Sequence, residues 1–186
     1  FGLMVFNPNS NTVGVGDGGR IVAQVGTAGA TLVSIMETDT DPTGRTPLGE
    51  SIYEAVRYFE AKTSAYNTGV DYATMDPIEY PCQKNFVLLI TDGEPTSDGN
   101  VPGQTGANVT DTSLTTWWNT AKTKTVKPTV TGSSFLSVVS HYAHVNDLRS
   151  ATVGNNDILG KQNLTIFTVY SFGDGTGTAI LKEAAK

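Results

Sequence analysis

A single cysteine, Cys82, rules out any disulfide within the chain; in an exported protein it would be either free or paired with something outside these residues. No apolar run approaches the roughly 18 residues of a membrane-spanning helix. Positive charge is scarce, with 12 Lys and Arg against 18 Asp and Glu and a net charge of -6. A nucleic-acid surface needs clustered basic residues, so no nucleic-acid partner is expected. Signatures of covalent catalysis are missing too. There is no Gly-x-Ser-x-Gly elbow and no phosphate loop with its Lys, and neither of the two His residues has a Ser or Cys nearby in a nucleophile motif. An initiator Met and a signal peptide are also lacking, and the chain opens inside what reads as a strand. The expectation is a piece of a larger polypeptide.

What is abundant is Gly, Thr, Asn and Ser, a composition that leans toward an extracellular or surface protein. The 186 residues are one domain's worth. The organising stretch is Asn85-Phe-Val-Leu-Leu-Ile-Thr-Asp-Gly-Glu-Pro-Thr-Ser-Asp98. Phe86 to Ile90 is unbroken and apolar, which reads as a strand buried on both faces of a parallel sheet. Ligand sites in such sheets lie at the carboxyl ends of the strands, where Asp92 would sit. A carboxylate there is costly unless it is paired, hydrogen-bonded or near a metal.

Phe1 to Phe6 and Arg20 to Val25 read as an antiparallel hairpin at a sheet edge. Gly14 to Gly19 matches Gly-x-Gly-x-x-Gly, but a strand follows instead of the helix that a dinucleotide site needs, so it reads as a glycine-rich hairpin loop. Ala30 to Met36 is a short helix. Thr46 is placed as an N-cap and Pro47 at the first helical position, and Leu48, Ile52, Ala55, Val56 and Phe59 form one helix face. Residues 67–83 are loop. Residues 99–132 are an insertion, with Trp117 and Trp118 either anchoring it to the body or forming a partner patch. Residues 134–149 hold a further helix. Leu164 to Phe172 is a second apolar strand, and Thr178 to Lys186 starts a closing helix. Strands and helices alternate, so the class is α/β with a mostly parallel sheet.

Two cation signals compete. Thr46 at a helix start and Asp92 at a strand end, with Glu94 close by, suit a hard divalent cation such as Mg2+ that takes oxygen ligands; without a metal, Thr46 caps its helix and Asp92 its turn. Asp39, Asp41, Thr43, Gly44 and Glu50 fit the spacing of an EF-hand calcium loop. Pro42 and Pro47 interrupt that loop, and a helix starting at Thr46 would project Glu50 along its own surface, away from the other ligands. His141 and His144 lie three apart, but no Cys or Glu joins them, so they read as solvated or capping residues. The sequons at Asn108 and Asn163 read as chance.

Thr46-Pro-Leu-Gly before an amphipathic helix, and an apolar strand ending in Thr91-Asp-Gly-Glu, together resemble the von Willebrand factor A-type domain. Phe1 to Phe6, Tyr80 to Thr96, Tyr142 to Arg149 and Thr165 to Phe172 are most similar to the tip-associated adhesins of type IV pili, the PilY family. The resemblance implies a doubly wound, Rossmann-like sheet, mostly parallel with an antiparallel edge strand. It also implies a metal-ion-dependent adhesion site, with Thr46 and Asp92 as ligands and Glu94 one layer out. The family's Asp-x-Ser-x-Ser loop is absent, because the chain begins at what would be the family's second strand. Residues 1–186 are therefore expected to be a partial domain, missing the first strand, with half of a site for Mg2+, Mn2+ or Ca2+. Folded alone, such a piece must pair Phe1–Phe6 directly with Phe86–Ile90 or leave open edges, an aggregation hazard.

The implied role is non-enzymatic: adhesion and pilus assembly at the cell surface, by an exported protein, with pilus minor subunits or a host or surface ligand as partner. Two other readings are an intracellular A-type subunit of an ATPase-linked complex, as in metal chelatases, and a hydrolase using Asp92. The hydrolase ranks lowest because no second catalytic carboxylate or phosphate-binding Lys accompanies Asp92.

Overall fold

The computed structural model describes residues 1–8, 16–38, 44–96, 98–102, 104–105, 108–109, 135–151, 157–171 and 175–185. Leu3–Phe6 (β1) and Gly19–Ala23 (β2) pair antiparallel, as the alternation predicts, with a slip between Leu3 and Met4. The end of their connecting loop holds Gly18 at a φ of 70°, backbone that L side chains rarely adopt. A Cβ there would also run into the ring of Tyr66. A strand follows at once, which removes the dinucleotide reading.

Gly29–Thr38 (α1) buries none of its residues. Leu48–Phe59 (α2) is its opposite, with every residue but Arg57 buried. A 3-10 turn at Tyr72–Met75 follows, capped by the Asp71 carboxylate on the Ala73 N–H. Asn85–Thr91 (β3) pairs parallel with Leu164–Tyr170 (β6), in register from Asn85 opposite Leu164 to Thr91 opposite Tyr170. Gln104–Thr105 (β4) and Asn108–Val109 (β5) make a small antiparallel ladder inside the expected insertion. Leu136–Val145 (α3) and Gly175–Ala184 (α4) complete the order. The class is thus mixed α/β with four helices and one parallel strand pair among the described residues.

Helices α2, α3 and α4 and one face of β3 and β6 share a single core that includes Leu48, Ile52, Val56, Leu89, Val139, Leu164, Ile166 and Ile180. Each such side chain removed from water is worth about 1.5–3 kcal/mol. Buried polar groups frame this core. Arg149 is wholly buried, and its two terminal nitrogens donate to both Asp76 oxygens, each at 2.7 Å. Glu54, equally buried, accepts from the Ser64 and Tyr72 hydroxyls and from the Ala65 N–H.

The central strand departs from expectation. β3 is covered on one face only: Phe86, Leu88 and Ile90 are 60, 60 and 61% exposed, and Phe167 and Val169 of β6 are exposed on the same side. The Phe86 and Phe167 rings lie 6.2 Å apart on that open face. An unbroken apolar run says that both faces are apolar; whether a second layer covers them is decided by the rest of the fold. Nor do β1 and β3 pair with each other. Among the described residues they belong to separate two-stranded sheets, so of the two outcomes expected of the chain folded alone, direct pairing of these strands is not the one seen.

Candidate site at the start of helix α2

Thr46 sits two residues before α2 and is stitched to the loop that follows β3. Its N–H donates to Thr96 Oγ1 at 3.1 Å, and its carbonyl accepts from the Thr96 N–H at 3.0 Å. These two bonds tie segments 50 residues apart, and nothing local in the sequence marks Thr96 as the partner. The Thr46 hydroxyl then stands over the turn at Gly93, 3.7 Å from where a Cβ on that glycine would be. The turn is held by a hydrogen bond from the Gly93 N–H to Thr91 Oγ1, 3.2 Å. Asp92, immediately before Gly93, is exposed, and Glu94 beside it is half-buried. Thr46 and the Asp92 turn, 46 positions apart in the sequence numbering by subtraction, are therefore neighbours.

Thr46 does not cap α2, contrary to expectation. Pro47 occupies the N-cap position, and neither it nor Thr46 offers a side-chain cap. The cap comes from Asp98, whose Oδ2 accepts from the Gly49 N–H at 2.7 Å and whose Oδ1 accepts from the Glu50 N–H at 2.9 Å. A carboxylate there satisfies two of the orphan donors of the first turn and faces the positive end of the helix. Sequence reasoning missed Asp98 because a cap is sought next to its helix.

Glu50 is also placed differently. It is wholly buried rather than laid along the helix surface. Its Oε2 accepts from the Gly18 N–H and its Oε1 from the Asn100 N–H, both at 2.8 Å. Asn100 in turn donates from Nδ2 to the Asp17 carboxylate at 2.6 Å. Burial pushes the Glu50 carboxyl up; the Asn100 N–H pulls it back, and the nearby Asp98 and Asp17 charges push it further, to about 7. Glu50 thus ties the hairpin loop and the 98–100 segment to the helix start. Asp39, Asp41 and Thr43 of the calcium-loop pattern lie outside the described residues, and Glu50 is engaged with Gly18 and Asn100.

His144 places Nδ1 3.2 Å from the Leu164 carbonyl. Burial, and then the neighbouring His144, hold His141 below the usual imidazole range. Cys82 is exposed. Trp117 and Trp118 lie outside the described residues. No helix among the described residues is long and apolar enough to cross a membrane. Among those residues no group of three or more His, Cys, Asp or Glu is placed to hold a metal ion. Thr46 and Asp92 offer a hydroxyl and a carboxylate, the donor types a hard divalent cation takes, but two side chains fall short of the roughly six oxygens such an ion collects, waters included. They fit such an ion in kind, and would be only part of a site for it.

The chain matches no protein-family model, no curated protein and no solved structure.

Proposed function

We propose that this chain is a von Willebrand A-type module, doubly wound and lacking the family's first strand, that serves non-enzymatically in adhesion or assembly at the tip of a type IV pilus. The observation that supports this reading is the meeting of Thr46 with the turn that carries Asp92, at the carboxyl end of a parallel strand and the start of a buried helix. Open α/β sheets bind ligands at that end. The Thr46 backbone is held by Thr96 on both its N–H and its carbonyl, which anchors the side chain's base beside the Gly93 turn, while Asp92 stays accessible.

Mg2+ or Mn2+ held by Thr46 and Asp92, with Glu94 one layer out, would supply an open coordination position for a carboxylate of the partner. Thr46 and Asp92 orient; they transfer no proton and make no covalent bond. The partner is a pilus minor subunit or an acidic surface ligand, and the protein works on the cell surface. Titration with Mn2+ followed by electron paramagnetic resonance tests the reading. Asp92→Ala and Thr46→Ala are each expected to weaken binding about tenfold, as loss of one ligand from a small set does. Equal affinity in Asp92→Ala and the unaltered protein would sink the assignment.

A further inference from the structure

Four Asp-Gly steps punctuate the chain: Asp17-Gly18, Asp92-Gly93, Asp98-Gly99 and Asp174-Gly175. Asp174 lies outside the described residues. Each step pairs a carboxyl with the one residue type whose missing Cβ leaves its backbone nitrogen open to a neighbouring group. The fold treats the other three differently. Asp17 is buried, and its carboxylate accepts from Asn100 Nδ2 at 2.6 Å. The Gly18 N–H that follows donates to the buried Glu50 carboxylate at 2.8 Å. Asp98 is buried too, with one carboxylate oxygen on the Gly49 N–H and the other on the Glu50 N–H. Asp92 is exposed, and among the described residues no hydrogen bond holds its carboxylate. The Gly93 N–H donates to the neutral Thr91 hydroxyl at 3.2 Å, a longer and weaker bond than one to a carboxylate.

We propose that Asp92-Gly93 is a site of spontaneous modification, where aspartate converts to isoaspartate through a cyclic imide, and that the fold shields Asp17-Gly18 and Asp98-Gly99 from the same reaction. The Gly93 nitrogen attacks Asp92 Cγ. As the N–Cγ bond forms, the amide proton and a carboxyl hydroxyl leave together as water. Water then adds to the ring. Attack at the Asp92 main-chain carbonyl carbon breaks its bond to the Gly93 nitrogen and leaves the chain running through Cγ, whereas attack at Cγ restores aspartate. Nothing is oxidised or reduced, and water is the one co-reactant. The reaction needs the carboxyl and the amide nitrogen released together. Each hydrogen bond to a charged group that must first open slows it at least about tenfold. Asp98, with two such bonds, and Asp17-Gly18, with one on each partner, therefore fall well behind Asp92. The product carries its carboxylate one carbon closer to the chain and adds one atom to the backbone of the turn beside Thr46. The proposal stands independently of the cation reading.

The test incubates the chain at neutral pH, folded and in parallel in urea. Isoaspartate is read by enzymatic methyl transfer to the new carboxylate and placed in the sequence by electron-transfer fragmentation of peptides. In the folded chain, conversion at Asp92 is expected to run at least about tenfold faster than at Asp17 or Asp98. In urea the three rates should converge. Gly93→Ala tests the step itself. Its Cβ would meet Thr46 Oγ1 at an ordinary 3.7 Å, and the φ of Gly93 is not positive. The variant should therefore melt as the unaltered chain does, while conversion at Asp92 slows about tenfold as the Cβ crowds the nitrogen. Equal rates at the three sites in the folded chain would overturn the proposal. So would a lead for Asp92 that persists unchanged in urea, or a Gly93→Ala rate equal to that of the unaltered chain.

Discussion

Asp98 receives the backbone N–H of Glu50 at 2.9 Å across a sequence separation of 48 residues, while the Glu50 side chain turns the other way to receive Gly18 and Asn100. The two carboxylates thus lock three segments together from opposite sides of one helical turn. Asp98→Ala would leave the N–H groups of Gly49 and Glu50 without their acceptor. The expected loss is about 1–3 kcal/mol of stability, the range for a missing cap and for buried unsatisfied donors. Asp98→Asn should lose less. Urea unfolding checks this, with the midpoint lowered and the slope unchanged.

Glu50 sets a pH dependence of definite sign. Its carboxyl is raised from an ordinary 4.5 to about 7 in the folded protein, so folding favours the protonated form. Its contribution is full below pH 4.5 and is lost as the pH rises toward 7. Linkage puts the loss at up to about 3 kcal/mol. Unfolding free energy measured against pH should therefore fall across that window, and Glu50→Gln should flatten the fall. Asp98→Ala should shift the window downward, because the Asp98 charge is one of the groups that raise the Glu50 carboxyl.

Asp76 acts in the opposite direction at lower pH. Burial raises its carboxyl, but the hydrogen bonds from Arg149, the Ile78 N–H and the Arg149 charge together outweigh burial and hold it below its ordinary 3.8. Its contribution is present above that value and is lost as the pH falls through the lowered one. Asp76→Asn leaves the Arg149 guanidinium buried without its counter-charge, and about 3–5 kcal/mol of destabilisation is expected. Thermal melts at pH 7 check the magnitude. Asp76→Leu combined with Arg149→Met should recover part of the loss.

Gly18→Ala should be among the most damaging single-methyl additions in the chain. The new Cβ would strain a backbone at a φ of 70° and strike the Tyr66 ring, and the same residue donates its N–H to Glu50. About 2 kcal/mol or more is expected. Guanidinium unfolding measures it, and Tyr66→Ala in the same chain should relieve the steric part while leaving the backbone part.

Most elements could be read from local pattern. The hairpin, α1, α2, α3, the two parallel strands and the closing helix follow from alternation, from helical spacing and from glycine and proline at the breaks. What escaped was long-range. The cap of α2 is Asp98, and Thr96 rather than any neighbour fixes Thr46, because hydrogen bonds across about 50 residues leave no local signature. Glu50 looked like a surface residue of an amphipathic helix, but α2 is covered on nearly every side, so its carboxylate had to find buried N–H partners. Phe86 to Ile90 were read as buried on both faces because the run is unbroken, but an apolar run says nothing of what covers it, and only the layer arrangement could say that one face lies open.

The parallel register of Asn85–Thr91 with Leu164–Tyr170 joins stretches that lie roughly 80 residues apart in the chain, a separation that slows folding because the loop must be closed before the contacts repay it. The helices α2 and α3 need no such closure and can form in microseconds. The arrival of β6 beside β3 is therefore the step expected to limit assembly. Until it arrives, Phe86 to Ile90 wait in an unpaired strand, and the yield of native protein should depend on how concentrated the chains are during that delay.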